Sequence, residues 1–220
     1  MLTLAQAVQD GPWTLPASVR SEAAQQEARG HALTTRDLAA VDRKLTEARD
    51  LLAASVCEHG EQDMSLHYSP ALLMLQTALC YAAARQSDRA LVIFQRELRP
   101  AAFSLRECGY FRAPMADVLA DLGEPDEAAV VGAQALSIAR ITGSLRTWTE
   151  VSRTVHALTP WLARPSVRTR TRGTAPVYAL ASRRYGGEGA FDHSPCAISR
   201  TTAAVGAKSA APWPEPSMGE

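Results

Sequence analysis

The chain has 220 residues, 46% of them hydrophobic and 6% aromatic, with 23 Lys/Arg against 23 Asp/Glu. That length suits one sizeable domain plus an appendage, and the zero formal charge removes any bulk electrostatic case for nucleic acid or a membrane surface. The balance hides an asymmetry: from Arg164 onward there are eight Lys/Arg and four Asp/Glu, so the body is net acidic and the tail net basic.

The first sixteen residues, "MLTLAQAVQDGPWTLP", read as an N-terminal arm. They lack the basic flank and apolar centre of a secretory signal, and no stretch of the chain approaches the roughly 18 apolar residues of a membrane span. The cysteines Cys57, Cys80, Cys108 and Cys196 are scattered with no C-x-x-C pair, which predicts reduced thiols in a cytoplasmic protein. From residue 17 to 163 nearly every segment has helical periodicity. "TRDLAAVDRKLTEARDLLAAS" repeats apolar positions at Leu38, Val41, Leu45, Ala48 and Leu52. After the polar break "EHGEQDMS", "SPALLMLQTALCYAAARQ" predicts a central helix, apolar almost all round, capped by Ser69 with Pro70 at its first position. "SDRALVIFQRELRP" predicts a helix capped by Ser87 or Asp88. In "AFSLRECGYFRAPMADVLADLG" the internal Pro114 predicts a kink or a break near Arg112. "GEPDEAAVVGAQALSIARITGS" opens on a Gly-Glu-Pro-Asp turn, and "SLRTWTEVSRTVHALTPWL" carries one apolar stripe. No segment alternates with period two, so the body of 17–163 is all-α. Residues 164–220 hold no amphipathic period and read as a disordered tail rich in Arg, Pro and Gly.

Internal similarity supports a repeat architecture. Aligning "GEPDEAAVVGAQALSIA" on "RQSDRALVIFQRELRPA" superposes Gly123 on Arg85 and Ala128 on Ala90, with Ala116 on Ala78 upstream. Small residues at these places suit tetratricopeptide-like hairpins, which bury one face on the next and end in a capping helix. Ala48 of "KLTEARDLLA" offers a third copy.

Catalytic chemistry is not legible. Cys57, His59 and His67 share a polar region but lack a fourth ligand at zinc spacing. No nucleotide-binding glycine loop or nucleophile elbow occurs, so neither a metal nor a cofactor is expected and the chain reads as a non-enzyme. "LTTRDLAAVDRKL" has the look of the first helix of a DNA-binding pair, but Arg43 stands where the tight turn needs Gly, and the helix pattern runs on.

The phrases "LPASVRSEAAQQEARGHAL", "VDRKLTEARDLLA" and "ECGYFRAPMADVLADLGEPDEAAVVGAQALSIARITGSLRTWTEV" together resemble the C-terminal tetratricopeptide-like half of XRE-type helix-turn-helix transcriptional regulators from actinobacteria, without the DNA-binding domain. The resemblance covers residues 10 to 163. It implies a regulatory module that takes a peptide, small ligand or protein partner, a second copy of the chain included, in a helical groove. It implies contact with DNA only through a helix-turn-helix domain missing here. A stand-alone interaction scaffold is the alternative. The inner helix of each hairpin lines such a groove, which on the repeat alignment selects Gln26, Arg29, Arg106, Tyr110, Asp117 and Asp121.

Overall fold

The computed structural model describes residues 2–12, 14–58, 68–99 and 101–171. All of them belong to the first of two compact units, Met1–Gly186. The described residues are all-helical: α1 Leu2–Asp10, α2 Ala17–Thr34, α3 Leu38–Glu58, α4 Pro70–Ala83, α5 Ser87–Glu97, α6 Leu105–Asp121, α7 Pro125–Thr142, α8 Leu145–Ala157, a single 3-10 turn Thr159–Trp161, and α9 Pro165–Thr171. The all-α class read from periodicity is therefore correct, and no strand occurs among the described residues.

Helix boundaries follow side-chain chemistry. Ser69 caps α4 as its sequence predicts, accepting from the Leu72 amide with Pro70 at the first helical position. A reciprocal capping box opens α6: the Ser104 hydroxyl accepts from the Glu107 amide, and the Glu107 carboxylate accepts from the Ser104 amide at 2.9 Å. The α5 cap differs from expectation. Gln86 occupies it without a side-chain bond, and Ser87 is already helical. Pro114 neither ends nor splits α6, which is continuous from Leu105 to Asp121. Its ring removes one intrahelical donor, and Ala113, Pro114 and Met115 are all buried.

Consecutive helices pair as hairpins, α2 with α3, α4 with α5 and α6 with α7, across the connecting segments 35–37, 84–86 and 122–124. The second and third connections are alike atom for atom. Arg85 and Gly123 take left-handed φ values of 62° and 82°. The Gln86 amide donates to Tyr81 O at 2.8 Å and the Arg85 amide to Ala82 O at 3.1 Å. In the next hairpin Glu124 donates to Leu119 O at 2.9 Å and Gly123 to Ala120 O at 3.1 Å. This paired closure is the Schellman motif. In the first connection the left-handed residue is Arg36, φ 53°.

The turns place a residue other than Ala48 at the helix position that Ala90 and Ala128 hold. Ala90 and Ala128 each donate to the residue just before their helix, Gln86 and Glu124, and in the first hairpin the residue that does so is Val41, bonded to Asp37 O at 3.0 Å. Val41, seven residues before Ala48, is thus the counterpart of Ala90. Ala48 is nonetheless a point of close approach, since Ser21 Oγ donates to its carbonyl at 2.6 Å.

The hairpins share one continuous core that runs from Ala28, Val41 and Leu45 through Leu75, Phe94 and Phe111 to Val118, Ala128 and Leu158. Both Cys80 and Cys108 are buried free thiols, as small apolar residues of the core. Helix α8 packs on α6 and α7. Part of the expected tail also folds against this core: α9 packs on α7 with Val167 fully buried, and Arg164 and Ser166 both bond the Asp126 carboxylate. The expectation of disorder from residue 164 is therefore corrected over 165–171, which form a helix with Val167 buried. Residues 172–220, the remainder of that tail, lie outside the described residues.

Candidate functional site

The six candidate residues fall in two places. Gln26 and Arg29 lie on α2, along its contact with α4. There the Gln26 amide donates to Gln25 Oε1 at 3.1 Å, and Gln25 Nε2 points at Cys80 Sγ, 3.7 Å away. Burial pushes the Cys80 thiol up to about 11, against the opposing Gln25 bond and the positive charge of Arg29. Tyr68, just before α4, is raised as well, by burial first and then by the charges of Glu22 and Cys80. Three polar atoms along this seam are occluded from solvent with no partner among the described residues: Arg29 Nε, Gln76 Oε1 and Tyr68 Oη. Gln76 sits one helical turn before Cys80. Buried polar atoms left unpaired are uncommon because each one forfeits its hydration.

The other four candidates share one face of α6 and are spread along about 22 Å of it, at 1.5 Å per residue. Arg106 is exposed and caps the far end of the third hairpin, donating to Thr142 O at 2.9 Å. Tyr110 is 6% exposed, with the Arg146 guanidinium 3.8 Å over its ring and bonded to its hydroxyl at 2.7 Å. Asp117 lies in the α6–α8 contact with its Oδ1 occluded and unpaired. Burial, the dominant cause, pushes its carboxyl up to about 7. Glu150 and Asp121 add to the rise, while Thr154 and Arg153 oppose it. Asp121 is exposed at the opposite end from Arg106 and pairs with Arg85 at 3.0 Å. Helix α8 therefore covers the middle of this face: Tyr110 and Asp117 make interhelical contacts, while Arg106 joins the far ends of α6 and α7 and Asp121 ties the third hairpin to the turn of the second.

The densest polar cluster was not legible beforehand. Glu27, a buried carboxylate on α2, receives Lys44 of α3 at 2.8 Å, Gln6 and Gln9 of α1 at 3.3 and 3.1 Å, and lies 3.7 Å from His31. Burial alone would raise its pKa, but the Lys44 and Gln6 bonds and the nearby positive charge outweigh that and hold it below the usual carboxylate value. Lys44 shows the converse. Burial would lower it, and the bonds to Glu27 and Glu47 raise it instead. The only sequence signal was a Glu27–His31 spacing of one turn. The partners from α1 and α3 are remote in sequence.

Among the described residues no group of three or more His, Cys, Asp or Glu side chains is placed to hold a metal ion, and no helix is long and apolar enough to cross a membrane. The Cys57 side chain, His59 and His67, weighed as zinc ligands, lie outside the described residues, as do His193 and Cys196. No family model matches the chain, and neither do curated proteins or solved structures.

Proposed function

We propose that the chain is the ligand- or partner-binding module of a transcriptional regulator, a tetratricopeptide-like stack that binds in the groove lined by its first helices and performs no catalysis. The family resemblance of its phrases motivates the regulatory role. The observation that carries the binding role is the α2–α4 seam, where Arg29 Nε, Gln76 Oε1 and Tyr68 Oη are held out of water without partners among the described residues. A folded protein tolerates such atoms at a cost in stability, and binding a polar ligand is one return for that cost. Arg29 supplies donors for a carboxylate or carbonyl, and Gln76 an acceptor for an N–H, which together suit a peptide backbone. The two matched Schellman turns support the repeat reading, because equal turns set equal helix offsets in successive hairpins.

The test is selection of binders from a random-peptide phage library, followed by rebinding to Arg29→Met, Gln76→Met and Tyr68→Phe. The expected result is enriched sequences whose affinity falls at least about tenfold, about 1.4 kcal/mol, in each variant, while the variants melt no lower than the parent. A library that yields no enriched binder, or binders indifferent to all three changes, would overturn the assignment to this seam.

A further inference from the structure

The α6–α8 contact contains a carboxyl whose surroundings accept a proton better than a charge. Thr154 of α8 is the polar side chain that faces Asp117, and its hydroxyl donates to the Ala113 carbonyl of α6 at 3.0 Å, with the Glu150 carbonyl 3.4 Å away. A hydroxyl has one proton, and here a main-chain carbonyl takes it. An ionised Asp117 must therefore compete with that carbonyl for the Thr154 proton, whereas a protonated one can donate to the Thr154 oxygen. The charged groups around the carboxyl do not rescue the anion. Glu150 of α8 and Asp121 of α6 repel it, Asp121 is itself engaged by Arg85 of the 84–86 turn, and the opposing cation Arg153 is paired with Glu150 at 3.1 Å. From α7 the neighbour of Thr154 is Gly132, which offers no side chain to this region.

We propose that Asp117 is a proton-controlled latch on α8: protonated, it holds α8 against α6; ionised, it lets α8 swing away. Release would uncover the apolar set that α8 closes, Val151 with Trp148 and Val155 on α8 over Ala113, Ala135 and Leu136. The raised carboxyl value, about 7 against an ordinary 3.8, places the response at and below neutral pH. A carboxyl raised in the docked state binds more protons there than in the open state, so docking weakens as pH rises from the ordinary value toward 7 and levels off above it. The latch is independent of the groove reading, since it needs no ligand.

Amide hydrogen exchange on the full chain tests this. After correction for intrinsic rates, protection of the α8 amides relative to α4 should fall by up to about tenfold per pH unit between pH 5 and 7, then flatten. In Asp117→Asn, whose side chain can donate but not ionise, α8 protection should vary less than about twofold over that range. A flat profile in the parent chain, or the same slope in the Asn variant, would refute the latch. Should the Asn variant fail to fold, a carbon-13 titration of the assigned Asp117 carboxyl in the parent decides. A midpoint near 7 that coincides with the pH at which α8 protection stops falling supports the latch, and an ordinary midpoint refutes it.

Discussion

Glu27 illustrates how a single buried charge can organise three helices. Its carboxylate is 7% exposed and takes its partners from α1, α2 and α3, so removing the cation strands a charge in the interior. Lys44→Met should cost about 2–4 kcal/mol in urea unfolding, while the double change Glu27→Leu with Lys44→Met should cost less, because no unpaired charge remains. The pH dependence has a definite sign. Glu27 is depressed when folded, so its stabilisation is present above its ordinary value of 4.5 and fades as pH falls through the lower folded value. Lys44 is raised, so its share is present below 10.5 and is lost as pH rises through the higher folded value. Stability from this pair should therefore be flat across the neutral range in urea titrations, and Lys44→Met and Glu27→Leu should each remove the acid-side loss. Asp117 has the opposite sign for a carboxylate, which is why it and not Glu27 can respond near neutral pH.

At the scale of elements, turns and close approaches decide which helices pair. Gly123 has φ 82° and open space where a Cβ would stand, so Gly123→Ala meets no clash and reports conformational strain alone. It should destabilise by about 1–2 kcal/mol. Gly30 is the reverse case: a Cβ there would lie 2.7 Å from Leu2 Cβ and 2.9 Å from its Cα. Gly30→Ala should push α1 off α2, giving faster amide exchange in 2–10 with the hairpins unaffected. Equal exchange in parent and variant would mean that α1 does not depend on this contact. The Ser69-Pro70 start of α4 was readable in the sequence, whereas the Ser104–Glu107 capping box of α6 emerged from the structure. The first hairpin's register was not readable either. Ala48 looked equivalent to Ala90 because both are small and buried, but equivalence is set by distance from the turn, and Arg36 marks a turn with no glycine to announce it. Gln86 displaced the better capping residues Ser87 and Asp88 because closure of the Schellman turn fixes where the next helix can begin.

For the molecule as a whole, α9 extends the core past the apparent end of the amphipathic pattern. Val167 is fully buried, so Val167→Ala should lower stability by about 1–3 kcal/mol in thermal or urea unfolding. Ending the chain after Thr171 should leave the helical circular dichroism and the melting point close to the parent's, whereas ending it before Pro165 should lower the melting point. A truncation before Pro165 that melts with the parent would show α9 to be dispensable.

What the amino-acid order determined by itself was local: helix in nearly every segment of 17–163, the Ser69 cap, the turn at Gly123, buried Cys80 and Cys108, and small residues where helices meet. These follow from periodicity, propensity and backbone sterics within a few residues. Only tertiary structure decided what lies over each helix face. It set Arg146 on Tyr110, closed α8 over Asp117, drew α1 and α3 to Glu27, and left Arg29 beside Cys80 with an unpaired Nε. Those outcomes rest on side chains tens of residues apart, where burial and pairing depend on the packing of whole helices and no short stretch of sequence encodes them.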